Sequence, residues 1–493
     1  MLAAIGAIMV FLWFLWLLSR RKLYIASWQL PGPPALLPII GNGFTFMCPA
    51  TDVLKQLLKI TEPYPSPLRL WIGPRLVTFI KDPDQLQKVM QSSKYTVKSD
   101  VYRFLEPFMG KGLFTLTGPR HKVQRKLLQP LFGPRVLESV SAMFQKHALN
   151  LVQTLEDQVG SGCFDVLHSL HQSAFEATVD ILLENANTDN PDYKLIPGYV
   201  RRFYHIFSQR VSTFWLHSGL LYRLSAYYKE QQMMVELASK CIEEVASQQL
   251  PEILKRKEGA TKCCQTRSTP SVLEIMVELF KENPASLTEE EFKDHMMTFF
   301  ATSQDTQSSA LAFTLMMLGM HKDIQNKVLQ ELQEVLDGRQ LVTLEDAAKL
   351  KYMEMCINEA MRLFPVGPFL PRDVAQSFKL GNTTIPEGSS IILGIFNVHR
   401  DPNHWQKPEE FYPEHFAEEE IAQRHPYAFL PFSAGPRRCI AQQYSYVNMK
   451  IIIGQILIKY EINCPFTLRS MELMTDVSIR PIAGYLVQIF NRC

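Results

Sequence analysis

The run PFSAGPRRCI, residues 431–440, sets one cysteine, Cys439, behind a Gly435-Pro436 turn and two arginines, just ahead of a segment with helical periodicity. No other feature restricts the fold as much, because the thiol must have a purpose that also explains the arginines. In IAQQYSYVNMKIIIGQILIKY, apolar residues recur at 440, 444, 447 and 451, which is helical spacing. Cys439 therefore sits at or just before a helix N-terminus, where unpaired N–H groups and the dipole favour an anion. Arg437 and Arg438 act in the same direction, and together these features favour thiolate over thiol. A buried thiolate carries a large desolvation cost, so it calls for a cation of its own, and a metal is the obvious candidate.

The other cysteines offer no disulfide framework. There are 9 in all, scattered, with no CxxC and no Cys/His zinc spacing. That usage fits reduced thiols facing the cytosol. Cys263 and Cys264 lie in KRKEGATKCCQTRSTPS, which reads as an exposed polar loop. A net charge of +2, with no basic stripe interleaved with aromatics, excludes a nucleic-acid partner. With 46% hydrophobic and 20% charged residues the chain is globular rather than disordered. Its 493 residues allow two or three domains, but no linker interrupts residues 46–493, so one large domain is expected there.

The N-terminus has a different character. MLAAIGAIMVFLWFLWLL carries no charge and is followed by SRRK. As a helix these residues reach about 27 Å, enough for a thin endoplasmic-reticulum bilayer. Basic residues follow the apolar run and none precedes it, which argues for an uncleaved anchor over residues 1–22 rather than a signal peptide. Arg20, Arg21 and Lys22 would hold the rest of the chain on the cytoplasmic side. The sequon Asn382-Thr383-Thr384 should then stay unmodified. Residues 23–45, with LPGPPALLPIIGN, read as a stiff proline-rich strut between anchor and body.

The body reads as mainly α with small β-sheets. LRLWIGPRLVTFI (68–80) predicts two strands around Gly73-Pro74. Residues 289–336 carry a long helical pattern, acidic at the start and then apolar nearly all round, which places a helix through the middle of a large domain. Residues 374–398 predict a β-meander, and VSIRPIAGYLVQIF predicts a hairpin near the C-terminus.

Phe432, Gly435, Arg437 and Cys439, with Ala441 in the last position, resemble the haem-binding loop of the cytochrome P450 monooxygenases, Phe-x-x-Gly-x-Arg-x-Cys-x-Gly. The resemblance implies a helical fold with one long helix over a thiolate-ligated haem b. Cys439 would be the iron's axial ligand. Phe432 would shelter the sulfur, Gly435 would allow the bend, and Arg437 would bind a propionate. Ala441 replaces the family's second glycine.

Other positions extend the likeness. Glu359 and Arg362 in NEAMRLFP match the family's ExxR pair, and FYPEHF puts His415 where a PERF-like arginine closes the triad. Histidine lacks the bidentate fork of arginine. Arg372 falls at a propionate-binding position. GPRHKVQRKLL resembles the Trp-x-x-x-Arg helix, with Arg125 kept and His121 in the tryptophan's place. A solvated surface histidine is the other reading of His121. In FATSQDTQSS, Asp305 and Thr306 match the acid–alcohol pair that handles protons during oxygen activation. For Thr306, a hydroxyl bonded to its own helix is the alternative. Thr302 and Ser303 stand where the family has small residues, and their hydroxyls would narrow the oxygen groove. Thr302 also stands where family-four enzymes often carry a haem-esterified glutamate, so that link should be absent.

The likeness covers nearly all of the chain after residue 30 and is closest to the animal, insect-like family-four clan. It implies NADPH-driven insertion of one oxygen atom into an apolar small molecule. Electrons would come from NADPH–cytochrome P450 reductase, with cytochrome b5 as a second donor. The expected place is the endoplasmic-reticulum membrane. Lys122, Lys126, Arg438 and Lys450 are candidate reductase contacts. Residues 101–114, 298–306 and 366–370 would line the pocket, with 207–224 as an entrance touching lipid. Two alternatives stay open: a haem-thiolate isomerase or dehydratase that needs no reductase, and a membrane-tethered haem protein that only binds ligands.

Overall fold

The computed structural model describes residues 11, 14–34, 41–92, 97–183, 193–259, 272–282 and 287–492. Most of the apolar run assigned to the anchor, and the Cys263-Cys264 pair, lie outside them. Among the described residues no helix is long and apolar enough to cross a membrane. The strut needs one correction: Arg21–Trp28 is helical, so residues 23–28 are not extended. No proline interrupts them, and Pro31 is the first residue to stop a helix.

Eleven short strands appear among the described residues. They are β1 (Leu68–Ile72), β2 (Arg75–Ile80), β3 (Phe164–Asp165), β4 (Phe369–Asp373), β5 (Phe378–Leu380), β6 (Thr383–Ile385), β7 (Ser390–Gly394), β8 (Tyr460–Asn463), β9 (Leu473–Thr475), β10 (Ile479–Pro481) and β11 (Leu486–Asn491). The expected pair around Gly73-Pro74 is β1–β2, turned by Gly73 at φ +57°. It opens a sheet ordered β1-β2-β7-β4, in which β2 and β7 run parallel.

Two expectations give way here. The meander over 374–398 reduces to the β5–β6 hairpin, because β7 leaves to pair with β2 and β4, and Ile395–Val398 turns helical. The C-terminal segment forms no hairpin of its own. Instead β10 pairs back with β9, while β11 joins β3 and β8. Local alternation marks a strand but does not choose its neighbour.

The helices that position the site are α1 (Pro83–Gln91), α2 (Gly118–Leu128), α3 (Pro134–Leu155), α4 (Leu167–Leu183), α5 (Ile196–Ser212), α6 (Glu289–Met320), α7 (Lys351–Leu363) and α8 (Gln442–Lys459). The long pattern over 289–336 is two helices, since His321 leaves helical geometry and Lys322–Leu336 starts again. A Thr288/Glu291 capping box starts α6, and three glutamates in its first turn complement the dipole. From 308 to 319 every residue of α6 is buried. It packs along α4 and α7, and Phe313 stacks on Phe364 at 4.1 Å and 4°. Each large apolar side chain buried this way contributes about 1.5–3 kcal/mol, so α6 is a principal source of core burial.

Candidate functional site

The loop 432–439 is closed by the Cys439 N–H donating to the Phe432 carbonyl at 2.8 Å. Gly435 has φ +66°, and a Cβ there would stand 2.0 Å from the Met90 carbonyl oxygen at the end of α1. Glycine is required on both counts. Ala441, by contrast, has φ −94° as the residue preceding α8, so its methyl causes no backbone strain. Phe432 packs on Tyr446 of α8 at 5.2 Å between ring centres.

Cys439 keeps accessible surface, yet desolvation by the surrounding protein raises its thiol above the ordinary range, and the Ala441 N–H, Arg125 and Arg438 pull it only part of the way back. Ionisation therefore calls for a cation bound directly at Sγ.

Arg125, one of the two cations that act on this sulfur, belongs to a wider cluster of positive charge. His121 and Arg372 are buried, and Arg125 is half-buried. The charged groups that His121 feels are Arg437, Arg125, Lys98 and Arg372, all cations. Burial and those four hold its pKa down to about 3, so the imidazole is neutral at physiological pH. The surface-histidine reading of His121 is thereby overturned. Lys98, which sequence reasoning missed, is pushed well down by burial and by Arg372 and Arg437. Its Nζ lies 3.6 Å from the Phe114 ring centre and 4.1 Å from that of Tyr102. Arg437 is lowered to about 10 by burial and then by Arg372. Nothing local to SKYTVKSDVYRF distinguishes Lys98 from a surface lysine.

A cluster of cations that depress one another is costly unless an anion joins it. A thiol at the apex of a rigid loop, a neutral histidine donor and convergent Arg125, Arg372, Arg437 and Lys98 fit a flat dianionic porphyrin with an iron at the sulfur.

The ExxR pair is fully buried. Arg362 Nε and Nη2 each donate to Glu359 at 2.8 Å, and the same guanidinium also donates to the carbonyls of His399, Pro408 and Glu410. His415 Nδ1 lies 3.2 and 3.3 Å from the two Glu359 oxygens, so histidine does close the triad. The Tyr412 N–H adds a bond at 2.9 Å. Burial raises the Glu359 carboxyl, but Arg362 and His415 overcome it and the net shift is downward. His399, also missed from sequence, accepts the Leu430 N–H at 2.7 Å and meets the Arg362 carbonyl at 3.2 Å. It thus joins α7 to the start of the thiol loop.

On α6 the acid–alcohol pair is not brought together. Thr306 is exposed and donates to the Thr302 carbonyl at 2.7 Å, the helix-bonded alternative. Asp305 is buried and turned the other way. Its carboxylate accepts from Arg480 Nη2 at 3.0 Å and from the Ser478 hydroxyl at 3.2 Å, with His171 Nε2 at 3.4 Å. Burial alone would raise this carboxyl, but Arg480, His171 and Ser478 hold it at about 2. Held in those contacts, Asp305 does not pair with Thr306, which corrects the expected arrangement of the two side chains. Neighbours on a helix differ by about 100° in direction, which is why adjacency in sequence did not mean a shared face.

Thr302 bonds back to Thr298 at 2.7 Å, and Ser303 accepts from Thr178 of α4 at 2.8 Å. Both hydroxyls are therefore engaged by protein partners. Of the candidate partner contacts, Lys122, Lys126 and Arg438 are exposed. Lys450 is buried against Glu354 at 2.6 Å and the Ala347 carbonyl at 2.8 Å, so it is no docking residue.

Leu105, Phe108 and Met109 share one apolar cluster with Phe203 and Tyr204 of α5 and Ala301 of α6. The Cytochrome P450 family model matches residues 31–489. Cytochrome P450 4g15 of Drosophila melanogaster is 29% identical over 98% of this chain and 95% of that protein. Human Cytochrome P450 4V2 is 28% identical over 97% and 93%. A solved cytochrome P450DA heme domain shares the fold, with TM-score 0.79 at 20% identity over 94% of this chain and 98% of that one. The chain therefore belongs to the cytochrome P450 family and is a haem-thiolate monooxygenase with haem b as its resident cofactor.

Proposed function

We propose that the protein uses NADPH electrons, passed by a membrane-bound flavoprotein reductase or cytochrome b5, to place one atom of O2 in an apolar small molecule. The observation that carries this reading is Cys439 in a glycine-bent loop beside Arg125 and Arg438, with Arg125 in turn belonging to a cluster of Arg372, Arg437, Lys98 and neutral His121. When bound, a thiolate-ligated haem supplies electron push for O–O cleavage. The chain's own residues do the rest. The cations and the His121 N–H hold the propionates. The cluster around Leu105, Phe108, Met109 and Phe203 excludes water and takes an apolar substrate. Thr306 presents a hydroxyl on the exposed face of α6.

The same reading includes residues 46–493 as one catalytic domain held on the endoplasmic-reticulum membrane by the 1–22 segment. Trp215, Leu220, Leu221 and Leu224 are exposed beside the entrance, as are Ile25, Trp28, Phe44 and Met47 nearer the N-terminus. Exposed apolar groups in such number fit contact with lipid. One observation favours a second reading, a haem-thiolate isomerase: Asp305 is committed to Arg480 and so is withheld from oxygen chemistry.

The test is the absorption spectrum of the reduced, carbon-monoxide-bound protein in detergent beside Cys439→Ser. A strongly red-shifted Soret band that disappears in the variant supports thiolate ligation by Cys439, and substrate oxidation that consumes NADPH and O2 then supports the oxygenase. The same band in both proteins would remove Cys439 as the ligand. Turnover of peroxides or epoxides with no NADPH consumption would favour the isomerase.

A further inference from the structure

The β9–β10 hairpin is a two-stranded ribbon of three residue pairs, from Thr475↔Ile479 to Leu473↔Pro481. A ribbon that short is not stable in water on its own. Its β9 strand lies against residues 50–61, and a buried charge cluster ties its turn to α6. Arg480 reaches Asp305 of α6 with Nη2 at 3.0 Å and Asp476 of its own turn with Nε at 3.1 Å. Asp476 also accepts the N–H groups of Val477 at 2.5 Å and Ser478 at 3.1 Å, which fixes the tip. Ser478 then bonds the second oxygen of Asp305. Side chains of Arg480, Asp305 and Asp476 are all nearly inaccessible, at 4%, 1% and 7%. Between Asp476 and Ser478 stands Val477, which packs on the apolar cluster containing Leu105, Phe108, Met109, Tyr204 and Ala301.

We propose that Arg480 is a positioning residue that determines substrate specificity. By holding Asp305 and Asp476 at once it clamps the hairpin onto α6, sets how far Val477 reaches into the substrate pocket, and keeps the Asp305 carboxylate off the Thr306 face. Only a fork does this: a lysine carries the charge but cannot grip two carboxylates with the same geometry. A sequence signal was present, an arginine inside the apolar run VSIRPI. The burial of a charge in a strand called for a partner, and α6 supplies it. The proposal rests on the haem-binding reading.

The experiment titrates the holoprotein with imidazole, which needs only the iron, and with N-dodecylimidazole, which must also fill the pocket, reading the Soret shift of each. Arg480→Gln should weaken the long probe about tenfold, or about 1.4 kcal/mol, and leave imidazole within about twofold. Arg480→Lys should fall between. Amide exchange over residues 473–481 should accelerate in Arg480→Gln while α6 keeps its protection. Equal losses for both probes, or no change in either, would overturn the clamp. Should Arg480→Gln fail to take up haem, the isosteric Asp305→Asn carries the same pair of titrations, with the same two outcomes. If the unaltered protein shows no imidazole shift, the haem reading fails instead, and hairpin exchange still decides the clamp.

Discussion

Gly435 and Lys98 show two ways in which a single residue serves the cofactor. At Gly435 the constraint is space and backbone: φ is +66° and the Met90 carbonyl oxygen occupies the place of a Cβ. Gly435→Ala should cost about 1–3 kcal/mol in strain and displace the thiol loop. Its expected signature is a lowered Soret-to-protein absorbance ratio together with an earlier urea midpoint. A normal ratio would mean that α1 yields easily. At Lys98 the constraint is charge, because the half-buried side chain stands beside Arg372 and Arg437. Lys98→Met keeps the length and loses a charge-assisted bond of about 1.5–3 kcal/mol. Haem transfer to apomyoglobin should therefore speed up by about tenfold or more. An unchanged transfer rate would show that Lys98 makes no contact with a propionate.

Among the elements, α7 and the segment that meets it depend on one buried carboxylate. Glu359 takes bonds from Arg362, from the Tyr412 N–H and from His415, while Arg362 spreads its remaining donors over three carbonyls. Removing one partner of a buried pair leaves the other charged and unpaired, at about 3–5 kcal/mol. Glu359→Gln should therefore lose most of the folded, haem-loaded protein. His415→Ala leaves Glu359 with Arg362 and Tyr412, so about 1–2 kcal/mol is expected. Urea unfolding of the two variants measures the contrast, and equal losses would make the histidine a full substitute for the usual arginine. The ExxR spacing and the place of His415 were legible in the sequence. The link through His399 to the thiol loop was not, since its two partners are backbone groups of Arg362 and Leu430 far away in the chain.

For the molecule as a whole, buried histidines set the acid limit. Burial lowers His295 to about 4 and His399 to about 3. Below about pH 6.5 the unfolded chain takes up protons there that the folded chain refuses, so stability falls as pH falls towards 4. Each site contributes up to about 1.4 kcal/mol per pH unit in that window. Asp180, Glu291 and Asp346 are held at about 2 by hydrogen bonds from His147, Arg120 and Arg339, set against burial. They add their own loss only below about pH 4. The urea midpoint should thus decline between pH 6.5 and 5, before carboxylates matter. A midpoint flat over that interval would show that these histidines charge in place.

The loop around Cys439, the ExxR pair and the central helix could be read from the sequence because each is local. A bend needs its glycine, a helix face repeats every three or four residues, and a thiol beside arginines has few uses. Where side chains finally turn is decided by what packs against them. Asp305 and Thr306 are adjacent in the chain, yet one meets a strand from residues 479–481 and the other meets none of the cluster around it. Lys98, Lys450, His399 and Arg480 acquired their environments in the same way, from segments distant in sequence. Charge burial is a property of the assembled fold: the cost of removing a group from water, and the partner that offsets it, exist only once the elements have met.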